Sequence, residues 1–211
     1  MTEFANFLPG FIAAYAILLV AASSPGPSVA LLIGIATTEG RAPALIATLG
    51  IALGSITINI LTLLGIGLVL SQIAWGMAVL RIIGAAYLLW LAYGAFKKAI
   101  HPPLLQLVSA NKRSARKLFL AGYLLQVTNP KAIAFWLAIA SIGATEGGGI
   151  GIIALFIAGA FLISFTCHGA WAIALSAASV RAAYASARRY IEAGLGTFFV
   201  FAAFKLATWE K

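Results

Sequence analysis

The chain of 211 residues has no aspartate, one cysteine and little charge of either sign. Only 9% of it is Asp, Glu, Lys or Arg, against about 25% in an ordinary soluble domain. Its five acids are all glutamates: Glu3, Glu39, Glu146, Glu192 and Glu210. That is too little charge to clothe a water-soluble globule when 63% of the residues are apolar. The same apolar excess excludes a disordered chain. The single Cys167 excludes a disulfide scaffold and a C-x-x-C redox relay. Hard cations want several carboxylates and softer ones want Cys or His clusters, so no metal site is expected, and no cofactor. An integral membrane protein remains, in keeping with a mean hydropathy of +1.04.

What is present is a set of long uncharged runs. No charged residue lies between Glu3 and Glu39, from Ala42 to Leu80, or from Gly147 to Val180. Each run exceeds the ~20 residues that carry a helix across ~30 Å of hydrocarbon. They divide into six predicted spans: 7–24 with a continuation at 28–38, 44–69, 74–96, 118–142, 150–177 and 190–208. Continuous Ala, Leu, Ile and Gly runs favour helices over the alternating segments of a membrane barrel. The start, Met1-Thr2-Glu3-Phe4, lacks a basic n-region, so no cleavable leader is expected.

The cations orient the spans. Lys97, Lys98, Lys112, Arg113, Arg116 and Lys117 crowd the connection between spans 3 and 4, which makes it cytoplasmic. The loops holding Arg41 and Arg181, Arg188 and Arg189 then fall on the same side. The connections around Ser71-Gln72 and at 143–149 face outward, as do both termini. The net charge of +9 is thus topogenic; nucleic-acid binding would need a basic face on a soluble module. His101-Pro102-Pro103 stops the third span. It sets the organisation as a first repeat at 1–100, a basic loop at 101–117 and a second repeat at 118–211, together one membrane domain. Two halves of three spans each insert in opposite orientation, the inverted repeat of many secondary transporters.

Each half opens with a proline-interrupted helix. Ser23-Ser24-Pro25-Gly26-Pro27-Ser28 breaks the first, and Gln126-Val127-Thr128-Asn129-Pro130-Lys131 breaks the fourth. Proline removes an N–H donor and clashes with the carbonyl four residues back. A helix restarting near Ser28 exposes free N–H groups and a positive dipole end within the protein. In the second break Asn129 suits the N-cap, Pro130 the first helical position, and Lys131 adds a full positive charge. Paired broken helices point to a midplane site, and their chemistry is anion binding, with a carboxylate as the obvious ligand.

The Pro25-Gly26-Pro27 motif, the glycine-studded continuation to Gly40-Arg41, Gly50-Ile51-Ala52-Leu53-Gly54 and Asn129-Pro130-Lys131-Ala132 resemble the LysE/RhtB family of amino-acid exporters. Length, span number and the basic central loop resemble it too, over essentially the whole chain. The resemblance implies an antiporter of the bacterial inner membrane that exports amino acids or related small zwitterions with the proton as coupling ion. Family members often carry Asp directly after Pro-Gly-Pro; Ser28 stands there in this chain, so no carboxylate is available at that position.

Together these readings describe an all-α integral membrane protein of six transmembrane helices, a transporter and not an enzyme. Its expected substrate site is Ser24, Pro25, Gly26, Pro27, Ser28, Thr128, Asn129, Pro130 and Lys131, with Asn59 of span 2. The carboxylate would meet the helix starts at Ser28 and Pro130-Lys131. The ammonium would meet carbonyls freed at Ser23, Ser24 and Thr128. Asn59 equally suits a helix–helix hydrogen bond. Glu39 and Arg41 are a candidate cytoplasmic gate pair, and His168 a proton relay or a packing residue. Glu192 follows Arg188 at i, i+4, the spacing of a surface ion pair. Arg81 is expected to snorkel outward or to pair. Gly50 and Gly54 have the spacing for close helix packing, and a small-residue face would suit a homodimer. Rival readings are an intramembrane hydrolase using Ser28 and His168, without a Gly-x-Ser-x-Gly elbow, and a channel or metal-ion transporter.

Overall fold

The breaks at the two proline motifs divide the apolar runs of the first and fourth predicted spans into separate helices. The computed structural model describes residues 2–70, 76–101 and 113–208. Within them lie α1 (Thr2–Ser23), α2 (Pro27–Thr38), α3 (Arg41–Leu70), α4 (Gly76–Ile100), α5 (Ala115–Val127), α6 (Pro130–Ala140), α7 (Ile150–Ala174) and α8 (Ala178–Ala207). Ser71, Gln72, Trp75, Pro102, Pro103, Lys112 and the terminal residues Met1 and Trp209–Lys211 lie outside the described residues, as does the side chain of Arg81. Among the described residues, α3, α7, α8 and most of α1 are long and apolar enough to cross a membrane, and α2 and α6 are shorter apolar helices.

Several helices start ahead of the sequence expectation: α1 begins at Thr2 rather than 7 and α3 at Arg41 rather than 44. α5 begins at Ala115 rather than 118, because the Ser114 side chain caps it by accepting from the Lys117 N–H. α8 begins at Ala178 rather than 190. Arg181 donates to the Leu175 carbonyl at the end of α7, 2.8 Å away, so the arginine-rich stretch joins the helix instead of forming a loop. Arg181, Arg188 and Arg189 are therefore helical, and Glu192 stands in the body of a 30-residue helix.

Packing pairs elements from opposite halves. α4 runs against α8, α3 against both α5 and α7, and α1 against α7. If α1 to α4 are exchanged for α5 to α8 in order, the pair α1–α7 becomes α5–α3, and α2–α7 becomes α6–α3; all four pairs are present. At the α3–α5 crossing the backbones touch. A Cβ on Gly50 would fall 2.1 Å from the Phe119 carbonyl oxygen, and one on Gly122 equally close to that of Ala47. Only glycine allows this approach.

Outside the apolar core, Glu39 at the end of α2 is tied to the segment before α5. It accepts from the Arg113 backbone N–H (2.9 Å) and from its Nε (2.8 Å), and its Oε1 lies 2.7 Å from Arg113 Nη2. Burial raises the Glu39 carboxyl, but the backbone and side-chain hydrogen bonds of Arg113 and its charge outweigh that and hold it below its ordinary 4.5. A folded value below the unfolded one means the stabilisation is complete above the unfolded value and lost as pH falls through the folded one. The melting-temperature gap between wild type and Glu39→Gln should therefore be widest near neutral pH and close as acid takes the carboxyl through its lowered folded value. A gap that persists unchanged into acid would refute the ion pair's contribution.

Candidate functional site

The first break follows from three consecutive residues. The Ser24 N–H still bonds the Val20 carbonyl, 2.9 Å away, but Pro25 and Pro27 have no N–H to continue. Gly26 is extended (φ −174°, ψ −168°) and precedes α2 with no side-chain cap on its first turn. The second break is capped. Thr128 closes α5, and the Asn129 side chain accepts from the Lys131 N–H at 3.1 Å, with Pro130 at the first helical position.

Tertiary packing brings the two breaks into contact. The Lys131 ammonium donates to the Ser24 carbonyl (3.1 Å), to the Ser24 hydroxyl and to the Pro25 carbonyl (3.4 Å). In the other direction, the Ser28 hydroxyl donates to Gln126 Oε1 at 2.8 Å. The Lys131 side chain lies over Gly26, where a Cβ would be 3.3 Å from Nζ and 3.4 Å from Cδ. Two carbonyls freed by the first break, those of Ser24 and Pro25, are thus occupied by an internal ammonium.

A cavity lies between the breaks, walled by Ser28, Ser55, Gln126, Lys131, Trp136 and His168 among others. Its volume is ≈ 30 Å³. That admits roughly two waters and is tighter than an amino acid requires. Trp136 Nε1 donates to Ser55 Oγ at 2.9 Å. His168 Nδ1 is 2.8 Å from the Ser164 carbonyl one helical turn back. The Ser164 hydroxyl also lines the cavity and has no hydrogen-bond partner among the described residues.

The sequence-predicted residues divide into two groups. Ser24, Gly26, Ser28, Asn129, Lys131 and His168 line this cavity. Pro25 and Pro27 shape the break and face a second cavity. Pro130 starts α6. Thr128 is exposed and donates to the Leu124 carbonyl, so it takes no part in the lining. Asn59 is 1% exposed, with its Nδ2 unpartnered among the described residues, but it does not border the cavity. The Ser23 carbonyl accepts from Trp171 Nε1. Glu39 and Arg41 do not form a pair with each other: Glu39 is held by Arg113, and Arg41 Nε donates to Ser176 Oγ at 2.6 Å. Glu192 is 2% exposed, so it is no surface partner, because α8 continues past it. Ser55, Gln126, Trp136 and Ser164 were not singled out as site residues. Gln126 carried a signal, a polar residue immediately before the second break. The two serines are small and common in packed helices and carried none.

Ser28 and His168 share the cavity, yet the Ser28 hydroxyl is committed to Gln126 and His168 Nδ1 to its own helix. The nucleophile–base bond that a hydrolase requires is not formed.

The family model described as LysE type translocator matches residues 19–209. This chain belongs to the LysE-type translocator family. The chain is 33% identical over 156 residues to the threonine efflux protein of Escherichia coli K12, covering 70% of this chain and 74% of that one. It is 31% identical over 131 residues to the threonine efflux protein of Salmonella typhi, covering 59% and 61%. An uncharacterized membrane protein of Vibrio cholerae is 32% identical over 116 residues, covering 55% and 56%. No solved structure matches. Family membership and the long apolar helices make this LysE-type protein a multi-pass membrane transporter, and both helix breaks lie inside the matched region.

Proposed function

We propose that the protein exports a small zwitterionic amino acid across the bacterial inner membrane, by alternating access and in exchange for protons. The observation that carries this reading is the Lys131 ammonium seated on the Ser24 and Pro25 carbonyls. An arriving carboxylate draws that ammonium off, and the substrate's own ammonium takes the vacated carbonyls. The uncapped start of α2 at Gly26-Pro27 adds N–H groups and a positive dipole end for the carboxylate. The cavity is too narrow for the substrate as it stands, so binding is coupled to separation of the breaks. The exchangeable packing of the halves supports two inverted repeats that rock about the site, with six spans in all and both termini outside. His168 and Lys131, both on this cavity, are the candidate proton carriers.

The threonine efflux relatives make L-threonine the first substrate to try. Proteoliposomes loaded with unlabelled L-threonine should accumulate labelled L-threonine transiently by counterflow. An imposed pH gradient should accelerate its movement. Absence of counterflow with threonine, serine and alanine alike would reject the amino-acid reading; counterflow unaffected by a pH gradient would reject proton exchange.

A further inference from the structure

A second cavity lies on the far side of the first break. Pro25, Gly26 and Pro27 form one wall, and Lys98 of α4 with Arg188 and Glu192 of α8 face it. Its volume is ≈ 250 Å³, against ≈ 30 Å³ in the site between the breaks. Gly26 and Val29 border both, so one backbone segment, crossed by the Lys131 side chain, separates them.

Three features give this space a ligand chemistry. Glu192 is 2% exposed, and its Oε1 has no hydrogen-bond partner among the described residues. A buried carboxylate oxygen without a donor is costly, and Glu192 is one of the residues that line the cavity. Lys98 is exposed in the last turn of α4, and the Arg188 guanidinium stands 6.0 Å over the Tyr184 ring. One buried acid and two cations around a space of this size complement a zwitterion. The third feature is the broken equivalence of the halves. α4 packs on α6 through a cluster that includes Leu88, Phe135 and Ala138. The corresponding space between α8 and α2 holds this cavity. One side of the path is closed by packing, and the other is open.

We propose that this cavity is a loading site, in which Glu192 receives the ammonium of the amino acid and Arg188 and Lys98 its carboxylate, before the substrate passes Gly26 to the site between the breaks. The proposal rests on the exporter reading. It is tested with labelled L-threonine in vesicles of each orientation. Glu192→Gln should raise KM roughly ten- to hundredfold at the face bearing Lys98, leaving KM at the opposite face and the maximal rate unchanged. The threonine analogue with a hydroxyl in place of the ammonium should inhibit wild type only weakly, and against Glu192→Gln it should compete as well as threonine. Lys98→Gln, at the exposed rim, should give a smaller, equally one-sided rise and carries the test if Glu192→Gln does not fold. KM unchanged, or raised equally at both faces, overturns the loading site. If wild type shows no counterflow, the exporter reading falls; calorimetric titration of L-threonine into wild type and Glu192→Gln then decides this site alone, with equal affinities overturning it.

Discussion

Lys131→Met should lower amino-acid exchange by roughly a hundredfold or more, the largest functional effect expected of one side chain here. Methionine keeps most of the lysine's length and the packing over Gly26, so the loss isolates the charge. The ammonium holds the Ser24 and Pro25 carbonyls and the Ser24 hydroxyl, and is the cation available to a carboxylate between the breaks. Without it, those carbonyls lose their donor and the substrate loses its counter-charge. Lys131→Arg should not rescue transport. The guanidinium is larger and planar, and a Cβ at Gly26 would already sit 3.3 Å from the lysine Nζ. The readout is counterflow in proteoliposomes, with elution volume and melting temperature verifying the fold. Exchange within about threefold of wild type in Lys131→Met would remove Lys131 from the mechanism.

Gly50→Ala and Gly122→Ala should each destabilise the protein by about 3 kcal/mol or more, a fall in melting temperature of roughly 6–12 °C for a chain of this size. At both positions the added Cβ would meet a carbonyl oxygen of the facing helix at 2.1 Å. Backbone cannot rotate away as a side chain can, so α3 and α5 must separate. Because both changes strain one crossing, the double substitution should cost less than the sum. Gly94→Ala, with nothing within 4 Å of its new Cβ, is the control and should not lower stability, since alanine is the better helix former. Melting curves for the three variants in one detergent decide it. Parity of Gly122→Ala with Gly94→Ala would refute the close crossing.

The helices were legible in the sequence where a strong local signal existed. Long uncharged runs announced spans, and Pro25, Pro27 and Pro130 announced breaks, because a missing N–H acts within a few residues whatever surrounds it. Two of the displaced boundaries are set by single polar contacts: the Ser114 cap on α5, and Arg181 reaching back to Leu175. Charge alone read Arg181 to Arg189 as a loop, whereas arginine is at home in a helix that ends near the membrane surface.

Composition and local covalent geometry therefore determined that this is a helical membrane protein, that two of its helices are broken, and that each break leaves a polar helix start within an apolar setting. Those properties belong to the chain at short range. Only the tertiary structure decided that the breaks meet, that Lys131 crosses 107 residues of sequence to cap the carbonyls of the first one, that Glu39 takes Arg113 rather than Arg41, and that Glu192 is buried beside a cavity. Long, flexible side chains have many partners within reach. Which one they take depends on which backbones the packing of glycine and small residues allows to approach, and that is a property of the assembled helices.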